Sequence, residues 1–365
     1  MVNNCNVKPL PQAESQIKLA AKVAGFDLCG IAPVGANPEL AYFADWIAAG
    51  HGGEMSYLES RTEAGELKRS SLQIAAPWAR SVVVCALNYN SDERYSTECK
   101  DRSRGWISRY AWAQQDYHDV LLERLRKLEA EIKTLSGEED FRSWCYVDTG
   151  PIVERVLAKY AGIGWQGKNT CIINQETGSW FFLGVILTSI ALTPDMPAPD
   201  RCGSCTRCLD ACPTNAFVEP YKLDASRCIS YLTIEKRGSI PEDLRAGMGN
   251  HLFGCDICQD VCPWNREAPA SQAGEFQPRP ELVNPALSWL AEMTAEDFRA
   301  TFKGSPVKRT KYSGLRRNAA IAMGNSGDVR FLPQLEKLAS DDDETVAEHA
   351  RWAMEKLKGA GVVTS

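Results

Sequence analysis

The sequence predicts three consecutive units: an α/β domain over 1–192, a small cysteine-rich domain over 193–285 and an all-α segment over 286–365. Three observations carry this. Helical and extended patterns alternate through the first 190 residues. Eight of the fourteen cysteines fall between 202 and 262. The patterns that follow 285 have helical spacing only. With 365 residues and 44% hydrophobic content, the chain has material for two or three cores.

Residues 12–24 read as an amphipathic helix, followed by an extended run at 27–32. The run SVVVCAL at 81–87 is strongly β-prone and reads as a buried strand. The clearest helix spans 116–135, where Leu121, Leu125, Leu128, Ile132 and Leu135 step by four, three, four and three. A strand at 141–147 leads into a helix with Pro151 suited to its first position. The most apolar run, 180–192, is far shorter than the roughly 20 residues that cross a bilayer and reads as paired buried strands. TPDMPAPDR, between Leu192 and Cys202, holds three prolines and marks a stiff linker. Residues 263–285 wrap over the surface. In the tail, helices at 315–323, 331–339 and 346–357 are separated by turns at 324–328 and 341–344, and Thr345 and Glu348 have capping-box spacing. Helices this short must stack to be stable. Two helix pairs make a HEAT-like unit, with an ordinary helical subdomain as the plainer alternative.

The cysteines open with Cys202, Cys205, Cys208 and Cys212-Pro213 and close with Cys228, Cys255, Cys258 and Cys262-Pro263. Runs of three at two-residue spacing, with a fourth before proline, fit four-iron clusters. In the bacterial two-cluster pattern the last cysteine of each run ligates the other cluster. The predicted sets are therefore Cys202, Cys205, Cys208 and Cys262, and Cys212, Cys228, Cys255 and Cys258, in a ferredoxin-like two-cluster domain. Zinc prefers paired knuckles, and disulfides belong to small secreted domains, whereas residues 1–10 lack a secretory leader pattern. Cys5, Cys29, Cys85, Cys99, Cys145 and Cys171 read as core or inert thiols. The 26 residues between Cys228 and Cys255 form an insertion able to meet a partner or substrate.

Asp148, in VDTGPIVER at 147–155, follows a strand where α/β proteins place ligands, or simply caps the next helix. A helix N-terminus favours the charged carboxylate, which argues against a proton donor there. The run AGIGWQGKNT at 161–170 has three glycines in six residues, allowing close backbone approach to a bulky ligand or forming a tight turn. It lacks P-loop spacing. His51, His118, His251 and His349 are too dispersed for a histidine metal site. His118 follows Asp116-Tyr117, but Leu121 replaces the glycine of the cobalamin-ligating Asp-x-His-x-x-Gly motif, so His118 reads as a structural histidine. A net charge of −6 excludes a uniformly basic surface. Yet Arg299, Lys303, Lys308, Arg309, Lys311, Arg316 and Arg317 occur with no acidic residue among them. That segregation points to a polyanion, with Tyr312 available to stack on a base; a solvated face is the alternative. Lys236 and Arg237 extend the patch.

Together these stretches resemble the epoxyqueuosine reductase family: GWISRY at 105–110, Asp116-Tyr117-His118, VDTGPIVER, GIGWQGKNT at 162–170, GSWFFLG at 178–184, both cysteine runs and CDICQDVCPWN at 255–265. Ala113-Gln114-Gln115 departs from the family's more usual Gly-Arg pair, which is one residue shorter. The resemblance implies reduction of epoxyqueuosine to queuosine at the wobble position of tRNA, with electrons passing through two [4Fe-4S] clusters to cobalamin and Asp148 as proton donor. It makes the α/β unit an N-terminal cobalamin-binding domain, with Asp148, Lys168, Asn169, Thr170, Ile172, Ser230 and Asp256 around the corrin. It assigns tRNA contacts to Lys236, Arg237, Lys308, Arg309, Lys311, Arg316 and Arg317. A cytoplasmic monomer served by a low-potential donor such as a flavodoxin or ferredoxin is expected. The rivals are a reductive dehalogenase-like cobalamin enzyme, which commonly carries an export signal, and a non-enzymatic ferredoxin fused to a binding module, which leaves the first 190 residues without a role.

Overall fold

The computed structural model describes residues 13–361. The stretch 1–10, Cys5 within it, and Gln12 at the start of the first expected helix lie outside them. The first domain is built on four strands, β1 (Leu28–Pro33), β2 (Ser81–Asn88), β3 (Ser143–Tyr146) and β4 (Phe181–Thr188), in the order β1-β2-β4-β3. Every pairing is antiparallel. The α/β expectation thus holds for composition, but the sheet has no parallel switch point to position a ligand, and the apolar run at 180–192 supplies one strand, not two. Every residue of β2 is buried, because its side chains alternate between two covered faces. Val83, Cys85 and Leu87 pack with Ile17 of α1 (Ala13–Val23) and Leu121, Leu125 and Leu128 of α2 (Tyr117–Ser136). Val82, Val84 and Ala86 pack with Leu157 and Ala158 of α3 (Glu154–Tyr160).

Local chemistry sets the ends of these helices. Asp116 caps α2 by accepting from the His118 amide at 3.2 Å, and Gly137 closes it with φ +62°. α3 starts only at Glu154, so Pro151 lies before the helix instead of opening it. Gly30 is required by packing: a Cβ there would lie 1.9 Å from the Ala161 carbonyl oxygen at the end of α3.

The cysteine-rich domain holds the short helices α4 (Arg207–Asp210), α5 (Ile229–Ile234) and α6 (Ile257–Asp260), a further helical turn at Glu242–Arg245, and a hairpin of Phe217–Glu219 with Lys222–Leu223. Its insertion does more than cover the surface. Strand His251–Phe253 pairs in parallel with Trp106–Ile107 of the first domain.

The tail is helical throughout its described residues: α7 (Leu287–Glu292), α8 (Ala295–Thr301), α9 (Lys311–Ser326), α10 (Leu332–Ala339) and α11 (Glu344–Gly361). α9 runs through Gly324, where a Cβ would meet Ala353 at 2.7 Å, so this glycine serves a close helix crossing instead of the predicted turn. The turn is confined to Gly327, φ +73°. Asp343, accepting from the Thr345 amide, caps the last helix in place of the predicted Thr345–Glu348 box. One core joins Leu315, Ala319, Val346 and Ala350 of the tail to Trp106, Ile107, Trp112, Leu252 and Phe253. No helix among the described residues is long and apolar enough to cross a membrane.

Candidate active site

A cavity of about 1000 Å³ opens where the three units meet. Its walls include Tyr57, Arg69, Tyr110, Tyr117, Asp148, Glu154 and Thr170 from the first unit, Tyr221 and Glu235 from the second and Arg309 from the tail. That volume is at the upper end for a small-molecule site and fits a bulky ligand.

Asp148 stands at its edge with φ +45°, a backbone conformation uncommon outside glycine. Its loop is pinned from below by Arg69, which donates to the Tyr57 carbonyl at 2.7 Å and the Gly150 carbonyl at 2.8 Å. Gly150 fits because a Cβ would strike the Tyr146 ring at 2.6 Å. With α3 beginning only at Glu154 and Val153 at its N-cap, Asp148 does not cap that helix. The carboxylate is gripped by two neighbours on α2. The Tyr117 hydroxyl donates to Oδ2, and His118 Nε2 lies 2.9 Å from Oδ1. Tyr117 is itself fixed by parallel stacking on Phe182, 4.2 Å between centroids.

His118 is therefore more than the structural histidine its helix position implied. Its Nδ1 lies 2.7 Å from Asp116 Oδ1, while Asp116 Oδ2 accepts from Lys308 at 3.2 Å. Burial disfavours the charged ring, but the hydrogen bonds to Asp116 and Asp148 prevail and raise its pKa to about 9. Burial, reinforced by the charge of Asp148, raises Glu154 to about 7; its Oε1 is buried without a hydrogen-bond partner.

The glycine run forms a hairpin, Trp165–Gln166 with Ile172–Ile173, closed by the Gly167 amide on the Cys171 carbonyl at 2.7 Å. Gly164 is needed because a Cβ would lie 2.3 Å from the Ile173 oxygen. Of the residues expected around the cofactor, Asp148 and Thr170 line the cavity. Lys168 instead donates to the Gly203 and Cys205 carbonyls, and Asn169 to the Cys258 carbonyl, so this pair ties both cysteine runs to the first domain. Ile172 is buried in the core beneath β2. Ser230 lies on α5, half-buried, outside the cavity wall. Asp256 is a correction: 1% exposed, it accepts from Trp106 Nε1 at 2.9 Å, the Ser108 hydroxyl and the Arg109 amide, and so organises the interface behind the cavity.

None of the described cysteines is in a disulfide. Burial raises Cys208 to about 11, with Cys202 and Cys205 adding to the rise; Cys262, also buried and at about 11, feels Cys208 and Cys202. Cys255 is raised by burial and then by Cys228 and Cys212, and Cys258 feels Cys255 and Cys228. No group of three or more His, Cys, Asp or Glu among the described residues converges on a single ion. Eight free thiols with the spacing of a double-cluster pattern suit two four-iron clusters, in which each thiolate binds a different iron. Cys171, read as a core or inert thiol, is a neighbour of Cys258.

The basic residues divide. Arg317 is a clear correction: 1% exposed, it donates to the carbonyls of Leu232, Lys236 and Gly238, which leaves nothing for a phosphate. Arg316 pairs with Asp341, only 17% exposed, and lies over the Tyr312 ring, whose hydroxyl donates to the Met293 carbonyl. Tyr312 is thus committed to packing. Lys236 pairs with Glu54, and Arg237 donates to the Ile234 and Arg309 carbonyls. Arg309 pairs with Glu235. Arg299, Lys303, Lys308, Arg309 and Lys311 remain exposed.

Comparison with known proteins agrees with this arrangement. Residues 201–265 match the family model of a 4Fe-4S double cluster binding domain, and 69–149 match that of "Epoxyqueuosine reductase QueG, DUF1730". The chain is 39% identical to the epoxyqueuosine reductase of Xanthomonas campestris pv. campestris, over 94% of this chain and 95% of that one. It is 40% identical to that of Pseudomonas aeruginosa, over 93% of each. A solved epoxyqueuosine reductase carrying an epoxyqueuosine-modified tRNA-Tyr stem loop superposes with a TM-score of 0.85 at 34% identity, covering 95% of this chain and 91% of that one. The Bacillus subtilis enzyme, solved with its catalytic aspartate loop swung out of the active site, superposes at 0.83 and 35% identity, with the same coverage. The chain belongs to the epoxyqueuosine reductase family.

Proposed function

We infer that this oxidoreductase reduces epoxyqueuosine to queuosine in tRNA, with Asp148 as the acid that protonates the departing oxygen. The observation that carries the reading is the Asp148 carboxyl, held by Tyr117 and His118 at the edge of a cavity bounded by the cluster domain and the basic tail. Removing an epoxide oxygen as water breaks two carbon–oxygen bonds and takes two electrons and two protons. Cys202, Cys205, Cys208 and Cys262 would hold one four-iron cluster, and Cys212, Cys228, Cys255 and Cys258 the other. Cobalamin, when bound, supplies a centre that passes electrons to carbon. The cavity's volume and its Asp148 and Thr170 lining suit it, with Lys168 and Asn169 fixing the cluster loops nearby. The exposed Lys308, Arg309 and Lys311, backed by a HEAT-like stack of helices, would hold stem-loop phosphates. An anticodon base, already unpaired, enters such a cavity without duplex opening.

Family membership disfavours the dehalogenase-like and purely electron-transferring readings. The test is anaerobic: load the chain with iron–sulfur clusters and cobalamin, add a low-potential reductant and epoxyqueuosine-containing tRNA, and follow nucleosides by mass spectrometry. Conversion to queuosine is expected. No conversion with both cofactors spectroscopically present would overturn the reading.

A further inference from the structure

The reaction needs two protons, but Asp148 carries at most one and must be reloaded between them. Asp148 faces Tyr117 and His118 on α2, and the charges or hydroxyls of Tyr57, Tyr110, Glu154 and Arg309 bear on its surroundings. Among these groups, His118 alone joins a hydrogen bond to the Asp148 carboxylate with partial access to solvent: its ring is 30% exposed. It has carboxylates on both ring nitrogens, which require both to donate, the arrangement of an imidazolium. Asp116, 6% exposed in its side chain, anchors the far nitrogen and is itself held by Lys308.

We propose that His118 is the proton source that loads Asp148 for both protonations, with Asp116 and Lys308 holding its ring in place. The inference rests on Asp148 being the acid. In each delivery the His118 Nε2–H bond breaks and an Asp148 Oδ1–H bond forms; the carboxylic acid then gives that proton to the substrate oxygen. The first delivery meets the opening epoxide and the second releases water, while the two electrons are those of the epoxide reduction itself. After each delivery the neutral ring, its Nδ1–H kept by Asp116, regains a proton from solvent at its exposed edge. His118 is a positioning residue in that it acts through Asp148, and both its nitrogens are committed away from any metal. The raised His118 pKa is consistent with a ring that is charged at neutral pH.

The test compares single-turnover epoxyqueuosine loss in the loaded wild type, His118→Gln and Asp148→Asn across a pH series from neutrality to well above the His118 pKa, alongside cluster absorbance and stem-loop affinity. Glutamine keeps a hydrogen-bonding side chain but cannot carry the proton. His118→Gln should lose about 100-fold at neutral pH. Its rate should fall with rising pH from neutrality onward, whereas the wild type holds until about pH 9, and added imidazole should restore part of it. An inactive Asp148→Asn with His118→Gln at wild-type rate and pH profile overturns the proposal alone. A fully active Asp148→Asn overturns the reading beneath it. A slow His118→Gln whose pH profile matches the wild type and which imidazole does not rescue shows a structural role and also overturns the proposal.

Discussion

At the scale of single residues, Arg316 and Arg317 show how one step along a helix changes a side chain's task. Neighbours on a helix point about 100° apart, so Arg316 reaches the surface while Arg317 turns inward against three carbonyls. Arg317→Ala should therefore lower stability by about 3 kcal/mol by leaving those carbonyls unpartnered. A urea-unfolding midpoint measures this. An unchanged midpoint with weakened tRNA binding would instead restore Arg317 to the binding surface. In the sequence, Arg317 is indistinguishable from the cations around it, because a run of like charges reads as one face. The cysteine spacing and the Asp148 context are legible because each lies in a short stretch. The role of His118 is not, because its bond to Asp148 spans 30 positions.

At the scale of elements, α2 is legible from its stripe and cap, but the joints between elements are not. Thr345 and Glu348 have box spacing, yet Asp343 caps the helix. Glu348 instead bridges to Arg245, and His349 Nε2 accepts from the Ile240 amide at 3.1 Å, so α11 is tied to the insertion between Cys228 and Cys255. Burial lowers the His349 pKa to about 4. The unfolded histidine takes up a proton near pH 6.5 while the folded one stays neutral. This joint's contribution is therefore fully present above about pH 6.5 and is lost as pH falls toward 4. The stability gap between wild type and His349→Gln should change across that window and stay flat above about pH 7. A gap independent of pH throughout would show that His349 is not held neutral. Gly30→Ala should destabilise the β1–α3 joint strongly, since its Cβ would overlap the Ala161 oxygen.

At the scale of the whole molecule, the cores run across the three stretches marked out by the sequence. Trp106, Ile107 and Trp112 pack with the tail, and strand His251–Phe253 completes a pair begun in the first domain. Sequence periodicity reports which face an element buries, not what it is buried against. This interlocking brings the Asp148 loop, the cluster domain and Arg309 of the tail around one cavity. Charge reversal of Lys303 and Lys311 should weaken stem-loop binding and flatten its salt dependence by about 0.7 in log–log slope for each phosphate no longer neutralised. An unchanged slope would leave those lysines as a solvated face. Protonation of the departing oxygen by Asp148 is tested most directly by the single-turnover rate of Asp148→Asn with both clusters and cobalamin bound. The expected result is a loss of about 100-fold or more with unaltered absorbance and stem-loop affinity; a rate equal to that of the wild type would contradict it.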